Sequence, residues 1–306
     1  MAKKTIRNYL SLPLIGLLHL ISYLPMWVLL GMSSGLNFFI YRVFRYRVRV
    51  VRENLRNAFP EKSIQELRKI EKDFYLNFSD VMVEVIKLKT ISFAELKKRC
   101  QYSDASVALL NRFFHEGRSI IIVLGHMGNW EWAGSAYPLY NLHQIITAYR
   151  PLRNKAFDRD TLAMRQRTGN ILASMKQLTR EMLKNRNNII ATALIADQTP
   201  SPENAFWVDF LHQSTPFFKG TEVLSKKFDL PLLWGRTKRI KRGYYYIEFE
   251  VITESPKSFT KPGQLTHLHA SFLEKDIREN PSLWLWSHRR WKHGLPKDTE
   301  VILSQP

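Results

Sequence analysis

The sequence predicts an α/β protein: a central mixed sheet flanked by helices, behind an apolar N-terminal helix. Three observations carry this reading. Short β-branched apolar runs recur from residue 119 onward. Stretches that read as helices lie between them, and strands alternating with helices argue a sheet covered by helices. One long segment near the start carries no charge at all.

The uncharged segment comes first in the chain. Between Arg7 and Arg42 there is no Asp, Glu, Lys or Arg, and Leu10 to Leu30 is almost wholly apolar. A bilayer-spanning helix needs roughly 20 such residues. Tyr23 and Trp27 are residue types favoured at headgroup depth. Pro13 and Pro25 are positions where a helix kinks or breaks. A cleaved signal peptide is a poorer reading, because apolar character continues past Ser33-Ser34-Gly35 through Phe38, Phe39 and Ile40. A buried hairpin bent at Pro25 is the other alternative. The favoured division is a membrane anchor over 1–41 and an α/β domain over 42–306. The segment after the anchor, Arg42 to Arg52, alternates cations with apolar and aromatic residues. Such a stretch suits an anionic leaflet; a solvated helix face is the plainer reading. Most of the charge follows the apolar run, which places the main domain on the cytoplasmic side.

Next come two helices, over 42–58 and 62–90. Pro60 separates them, and Ser63 with Glu66 forms a capping-box pattern at the start of the second. Strands are expected at 119–124, 145–149, 189–196 and 231–235, with an alternating strand at 244–252. Helices are expected at about 155–186, 215–228, 263–279 and 282–291.

The totals narrow the function classes. The chain has 306 residues, 45% of them hydrophobic, with 46 Lys plus Arg against 27 acids and a net charge of +19. A surface that basic attracts polyanions: nucleic acid, anionic headgroups, phosphorylated glycolipids or acidic carrier proteins. No nucleic-acid-binding motif is present. The single cysteine, Cys100, excludes an intrachain disulfide and any Cys-based metal motif. Nothing beside it suggests activation, so it reads as an inert thiol.

One pattern points to chemistry. A histidine followed five residues later by an acid occurs three times: His126 with Glu131, His269 with Glu274, and His293 with Asp298. Chance alone gives about one such spacing in a chain of this composition. Context separates the first from the others. His126 follows a buried-type strand, where α/β proteins place their ligand sites. Gly125 and Gly128 flank it, and Asn129 can cap a helix carrying Trp130, Glu131 and Trp132. An imidazole can take a proton from a hydroxyl near neutral pH. A carboxylate on its other ring nitrogen would fix the tautomer. No Gly-x-Ser-x-Gly elbow occurs, so the nucleophile is expected to be the substrate's own hydroxyl. Backbone N–H groups at Gly125 and Gly128 are candidates for stabilising the oxyanion. A metal site is a poorer reading, since only one His and one acid converge. The plain alternative is a structural His before a capped helix.

The segment Gly125-His126-Met127-Gly128-Asn129-Trp130-Glu131 resembles the signature of the late acyltransferases of lipid A biosynthesis, the lauroyl and myristoyl transferases. The resemblance runs on through Tyr149-Arg150-Pro151, Met164-Arg165-Gln166-Arg167-Thr168-Gly169, Ala196-Asp197-Gln198 and Trp284 to Lys292. It implies a glycerolipid-acyltransferase-like fold and an inner-membrane location. It also implies an acyl-ACP donor, a phosphorylated glycolipid acceptor and no cofactor. His126 would be the general base with Glu131 as its partner. Arg150, Arg165, Arg167 and Asp197 would contact substrate, the arginines through bidentate bonds to phosphate. Two alternatives stay open: the same chemistry on a glycerophospholipid, aminolipid or mannolipid, and a non-catalytic basic protein tethered to membrane. Ser214 to Gly220 carries aromatic residues where such enzymes often have small ones, which leaves acyl length and acceptor open.

Overall fold

The computed structural model describes residues 11–302, apart from Asn141 and Asp298. Residues 1–10 of the expected anchor, and Asp298 of the third His–acid spacing, lie outside the described residues.

A seven-stranded sheet organises the chain. Its strands are β1 (Cys100–Tyr102), β2 (Ile120–Leu124), β3 (Gln144–Tyr149), β4 (Ile171–Ser174), β5 (Ile190–Ile195), β8 (Leu232–Lys241) and β9 (Tyr244–Thr253). Their order across the sheet is β1-β9-β8-β2-β5-β3-β4. Every neighbouring pair is parallel except β8 with β9, so the sheet is mixed, as expected. A second sheet joins β6 (Ala205–Phe210), antiparallel β7 (Gln213–Phe218) and the short β10 (Val301–Ile302).

The helices, in chain order, are α1 (Ser11–Ser22), α2 (Met26–Asn37), α3 (Val48–Ala58), α4 (Ile64–Lys87), α5 (Phe93–Arg99), α6 (Asp104–His115), α7 (Trp130–Ala136), α8 (Lys155–Gln166), α9 (Leu178–Lys184), α10 (Gly220–Phe228) and α11 (Gln264–Glu279). They cover both faces of the main sheet, which explains why its central strands are apolar on both sides. One face buries Val51, Phe74, Leu178, Leu224 and Leu273 against Ile121, Ile146 and Leu194. The other buries Leu110, Trp132 and Met164 against Ile120, Ile145 and Ala191. Ile120 and Ile121 belong to opposite faces, as do Ile145 and Ile146, which is the strand alternation the sequence carries.

Four expectations are corrected. The helix expected over 155–186 is two helices with β4 between them. Gly169, at φ +95°, supplies the left-handed turn after α8, and Ile171 to Ser174 then pair with β3. The helix expected from 215 begins at Gly220, because Gln213 to Phe218 form a hairpin with β6. The helix expected over 282–291 is a three-residue 3-10 turn, Pro281–Leu283, followed by irregular chain. Asn54 Nδ2 ties that chain down by donating to the carbonyls of Trp286 and His288. The helix expected over 42–58 starts only at Val48. A π-helical turn, Phe38–Val43, precedes it, and Arg45 and Arg47 take left-handed backbone angles at the bend.

The apolar N-terminal run also differs from one spanning helix. It breaks at Tyr23–Pro25 into α1 and α2, and no single helix among the described residues is long and apolar enough to cross a membrane. The pair Met26–Val43 and Val48–Ala58 is bent by 87°. One side of α2 packs on α4: Leu29 and Ser33 are buried, and Ser33 Oγ donates to Asp80 Oδ1 at 2.5 Å. The opposite sides expose Leu12, Leu17, Leu20 and Trp27. The capping box at Ser63 forms as read, with Ser63 N donating to Glu66 Oε2 at 2.8 Å and Glu66 N to Ser63 Oγ at 3.3 Å.

Candidate active site

The centre of the sheet brings two loop residues together. Strands β2 and β5 are parallel neighbours, with Leu124 opposite Ile195. Each strand ends with one small residue and then a polar one: Gly125-His126 after β2, Ala196-Asp197 after β5. In-register strands therefore deliver His126 and Asp197 to the same height. His126 Nδ1 lies 2.5 Å from Asp197 Oδ1, and the His126 backbone N–H donates to Asp197 Oδ2 at 2.8 Å. Trp284 Nε1 donates to the same Oδ2 at 2.8 Å. Asp197 is buried. Burial alone would raise its carboxyl, but the His126 and Trp284 contacts outweigh burial and hold it down at about 2.

Gly125 makes this approach possible. A Cβ there would stand 2.6 Å from Leu273 Cδ1 and 3.4 Å from Asp197 Oδ2. Gly128 sits at φ +54°, and its N–H donates to Leu283 O at 3.0 Å. That N–H is committed to the Trp-bearing C-terminal segment, so Gly128 is a turn residue, not the oxyanion donor expected of it. The part Gly125 plays in the structure is to admit its neighbours.

Glu131 faces a different partner from the one expected. It stands in the first turn of α7, whose N-cap is Asn129: Asn129 Oδ1 accepts from Trp132 N at 2.9 Å. Its carboxylate bonds Arg165 of α8, which donates from Nε at 2.8 Å and also from Nη2. The carboxylate on the His126 ring is thus Asp197, and Glu131 forms a separate bidentate pair beside it. Trp130 stands edge-on to the imidazole at 4.9 Å between ring centres. Behind the turn, Glu84 of α4 is buried and holds the α7 start. Its Oε2 accepts from Asn129 Nδ2 at 2.8 Å and Tyr245 Oη at 2.7 Å, and its backbone carbonyl accepts from Trp132 Nε1 at 2.8 Å. Burial pushes the Glu84 carboxyl up to about 6.

His126, Glu131 and Arg165 all line one cavity of about 350 Å³ at the C-terminal ends of the strands. Arg150 lines it too and is otherwise exposed. Gln198 places Nε2 at 3.3 Å from His126 Nε2, on the cavity side of the ring. Two expected substrate ligands are elsewhere engaged. Arg167 donates to the backbone carbonyls of Leu88 and Ile91, closing the end of α4. Asp197 is behind the imidazole, not among the cavity walls.

Among the described residues, the His269–Glu274 spacing does not form a similar pair. His269 is buried, and burial drives it down to about 3, so it stays neutral. Glu274 accepts instead from Leu211 N and Arg278. The Cys100 thiol is buried and pushed upward by burial, as an inert thiol would be. Among the described residues no three His, Cys, Asp or Glu side chains gather as metal ligands.

A family model described as bacterial lipid A biosynthesis acyltransferase matches residues 3–293. The chain belongs to that family. Among curated proteins it is similar to the lipid A biosynthesis lauroyltransferase of Escherichia coli, with 24% identity over 297 residues, covering 92% of each chain. It is also similar to the lipid A biosynthesis palmitoleoyltransferase of the same species, with 22% identity over 91% of this chain and 89% of that one. A lipid A biosynthesis acyltransferase of Shigella flexneri matches to the same extent. This lipid A acyltransferase family member is therefore an enzyme of acyl transfer.

Local spacing in the acyltransferase sequence misses Trp284, Gln198 and Glu84. Asp197 was read as a substrate ligand. The signal that relates it to His126 is the repeated ending, apolar strand then small residue then polar residue, in two strands that turn out to be neighbours.

Proposed function

We propose that this enzyme moves a fatty acyl chain from the thioester of acyl carrier protein to a hydroxyl of a phosphorylated lipid A precursor, at the cytoplasmic face of the inner membrane. The observation that carries the chemistry is the His126–Asp197 bond with the other ring nitrogen turned to the cavity. Asp197 holds a proton on Nδ1, which leaves Nε2 as an acceptor. The acceptor hydroxyl gives its proton to Nε2 as its oxygen attacks the thioester carbonyl. The new C–O bond forms, the C–S bond breaks, and the proton passes from His126 to the leaving thiolate. Asp197, already ionised, stabilises the transient imidazolium.

Glu131 enters this reading through Arg165. The pair sets a guanidinium in the cavity wall, with both side chains half-buried and joined by two hydrogen bonds. Arg150 at the rim suits an acceptor phosphate. The lipid A biosynthesis role in the names of the Escherichia coli relatives supports a lipid A precursor over other lipid hydroxyls. The basic surface suits an acidic carrier protein, chiefly by speeding encounter. The exposed apolar helices and the arginines after them support attachment to the membrane.

The test is mass spectrometry of lipid A from host cells with and without the gene, alongside cells carrying His126→Ala. The expected result is one acyl chain fewer on lipid A in both deficient strains. An unchanged lipid A with a change in another lipid class would move the acceptor. Full acylation with folded His126→Ala would refute His126 as the base.

A further inference from the structure

The cavity has two unlike limbs, and strand β3 divides them. Successive residues of a strand point to opposite faces. Ile145 belongs to the α7–α8 face and Ile146 to the α10 face. Thr147 and Tyr149 therefore face α7 and α8, while Ala148 faces α10. All three line the cavity, so it wraps round the end of the sheet and opens on both faces.

The α7–α8 limb is polar. It holds the Glu131–Arg165 pair. Thr147 Oγ1 and Asn170 Oδ1 line it as well, buried and without a hydrogen-bond partner among the described residues. The α10 limb is apolar. Ala148, Leu194 and Leu224 line it and pack in the α10-face core, and Phe218 adds its ring. Burying a methylene chain against unpartnered polar atoms forfeits their hydrogen bonds, whereas apolar walls cost nothing of that kind.

We propose that the fatty acyl chain lies in the α10 limb and that the room left at Gly220 sets its length. This rests on the acyl-transfer reading above. Gly220 opens α10 and lines the cavity, and a Cβ built there meets nothing within 4 Å. Its φ is not left-handed, so no turn demands glycine. Within α10 glycine is the poorest helix former save proline. What the missing side chain provides is space. Gly134 on α7 is the matched case in the other limb: it also lines the cavity, with nothing within 4 Å of its Cβ position.

The experiment uses the full chain in vesicles, with acyl carrier protein thioesters from decanoyl to palmitoyl and a lipid A precursor. Buried methylenes discriminate by about fourfold each, the equivalent of about 0.8 kcal/mol. Gly220→Leu is expected to shift the ratio of kcat/KM for short over long donors by about tenfold or more. Phe218→Ala is expected to shift it the other way. Gly134→Leu is expected to leave the ratio within about twofold, while raising the KM for the acceptor. Circular dichroism establishes that each variant folds, and the opposite shift from Phe218→Ala tests the limb even where Gly220→Leu does not fold. The proposal is overturned if Gly134→Leu changes the length preference and the α10-limb variants do not. A wild-type enzyme that transfers none of the donors would overturn the acyl-transfer reading itself, a result distinct from an unshifted preference.

Discussion

Asp197 accepts three hydrogen bonds, and their arrangement dictates what an amide in its place must do. Oδ2 receives two N–H donors, from the His126 backbone and Trp284, while Oδ1 faces Nδ1 of the imidazole. In Asp197→Asn the amide oxygen must stay at the Oδ2 position, because two donors already point there. The amide NH₂ then faces Nδ1 and donates to it. The ring proton moves to Nε2, and the base can no longer accept from substrate. The expected outcome is a fall in kcat of about 10³- to 10⁴-fold at neutral pH with the fold retained, by analogy with a Ser-His-Asp triad whose aspartate becomes an amide. Steady-state turnover of the purified variant checks this, and turnover within tenfold of wild type would remove Asp197 from the mechanism. Acid stability carries the same signature. The Asp197 carboxyl is held at about 2 against an ordinary 3.8, so its contribution is fully present above about pH 4 and is lost as pH falls toward 2.

At the scale of elements, α7 owes its position to a buried carboxylate on another helix. Glu84 accepts from Asn129 and Tyr245 and sits at about 6, raised from 4.5 by burial. A raised folded-state value means stability is fully present below about 4.5 and is lost as pH rises through 6. The cost of ionising Glu84 is about 2 kcal/mol at about 1.4 kcal/mol per pKa unit. Glu84→Gln keeps an oxygen for both donors and abolishes the charge. Relative to wild type, it should therefore gain about 2 kcal/mol between pH 4 and pH 7.5. Urea unfolding of both proteins across that range measures the difference, and parallel pH profiles would show that Glu84 does not ionise there. None of this support was legible in the sequence, because Glu84 is separated from Asn129 by 45 positions. What was legible obeys short-range rules. The five expected strands and the capping box at Ser63 depend on residues within one element. The lost helix over 282–291 shows the limit: Trp284 and Trp286 are buried, but they are placed by contacts to Asp197 and Asn54 far along the chain. The same limit hid the partner of His126. Strand endings were readable, but strand adjacency, which brings Asp197 to His126, was not.

At the scale of the whole molecule, charge and apolar surface coincide at one end of the chain. The structure exposes Leu20, Trp27, Phe38, Phe39 and Phe44, and the arginines at 42, 45, 47 and 49 follow immediately. The helices that carry them are bent and partly packed on α4, with Leu29 and Ser33 turned inward. An element that uses one side for the protein core has only the other for lipid. If the proposed attachment holds, such an arrangement would lie in the headgroup boundary as an amphipathic element does, with aromatic rings at the interface and cations against anionic lipid. The two contributions separate by salt. Raising ionic strength screens the arginines but leaves apolar insertion intact. Each large side chain withdrawn from lipid forfeits about 1.5–3 kcal/mol. The triple variant Leu20→Ser, Trp27→Ser, Phe44→Ser should therefore bind anionic vesicles at least about 100-fold more weakly at high salt, while retaining salt-sensitive binding at low salt. Vesicle flotation at the two ionic strengths measures both terms. If the triple variant floats as well as wild type at high salt, these side chains do not enter the bilayer and attachment must lie elsewhere on the chain.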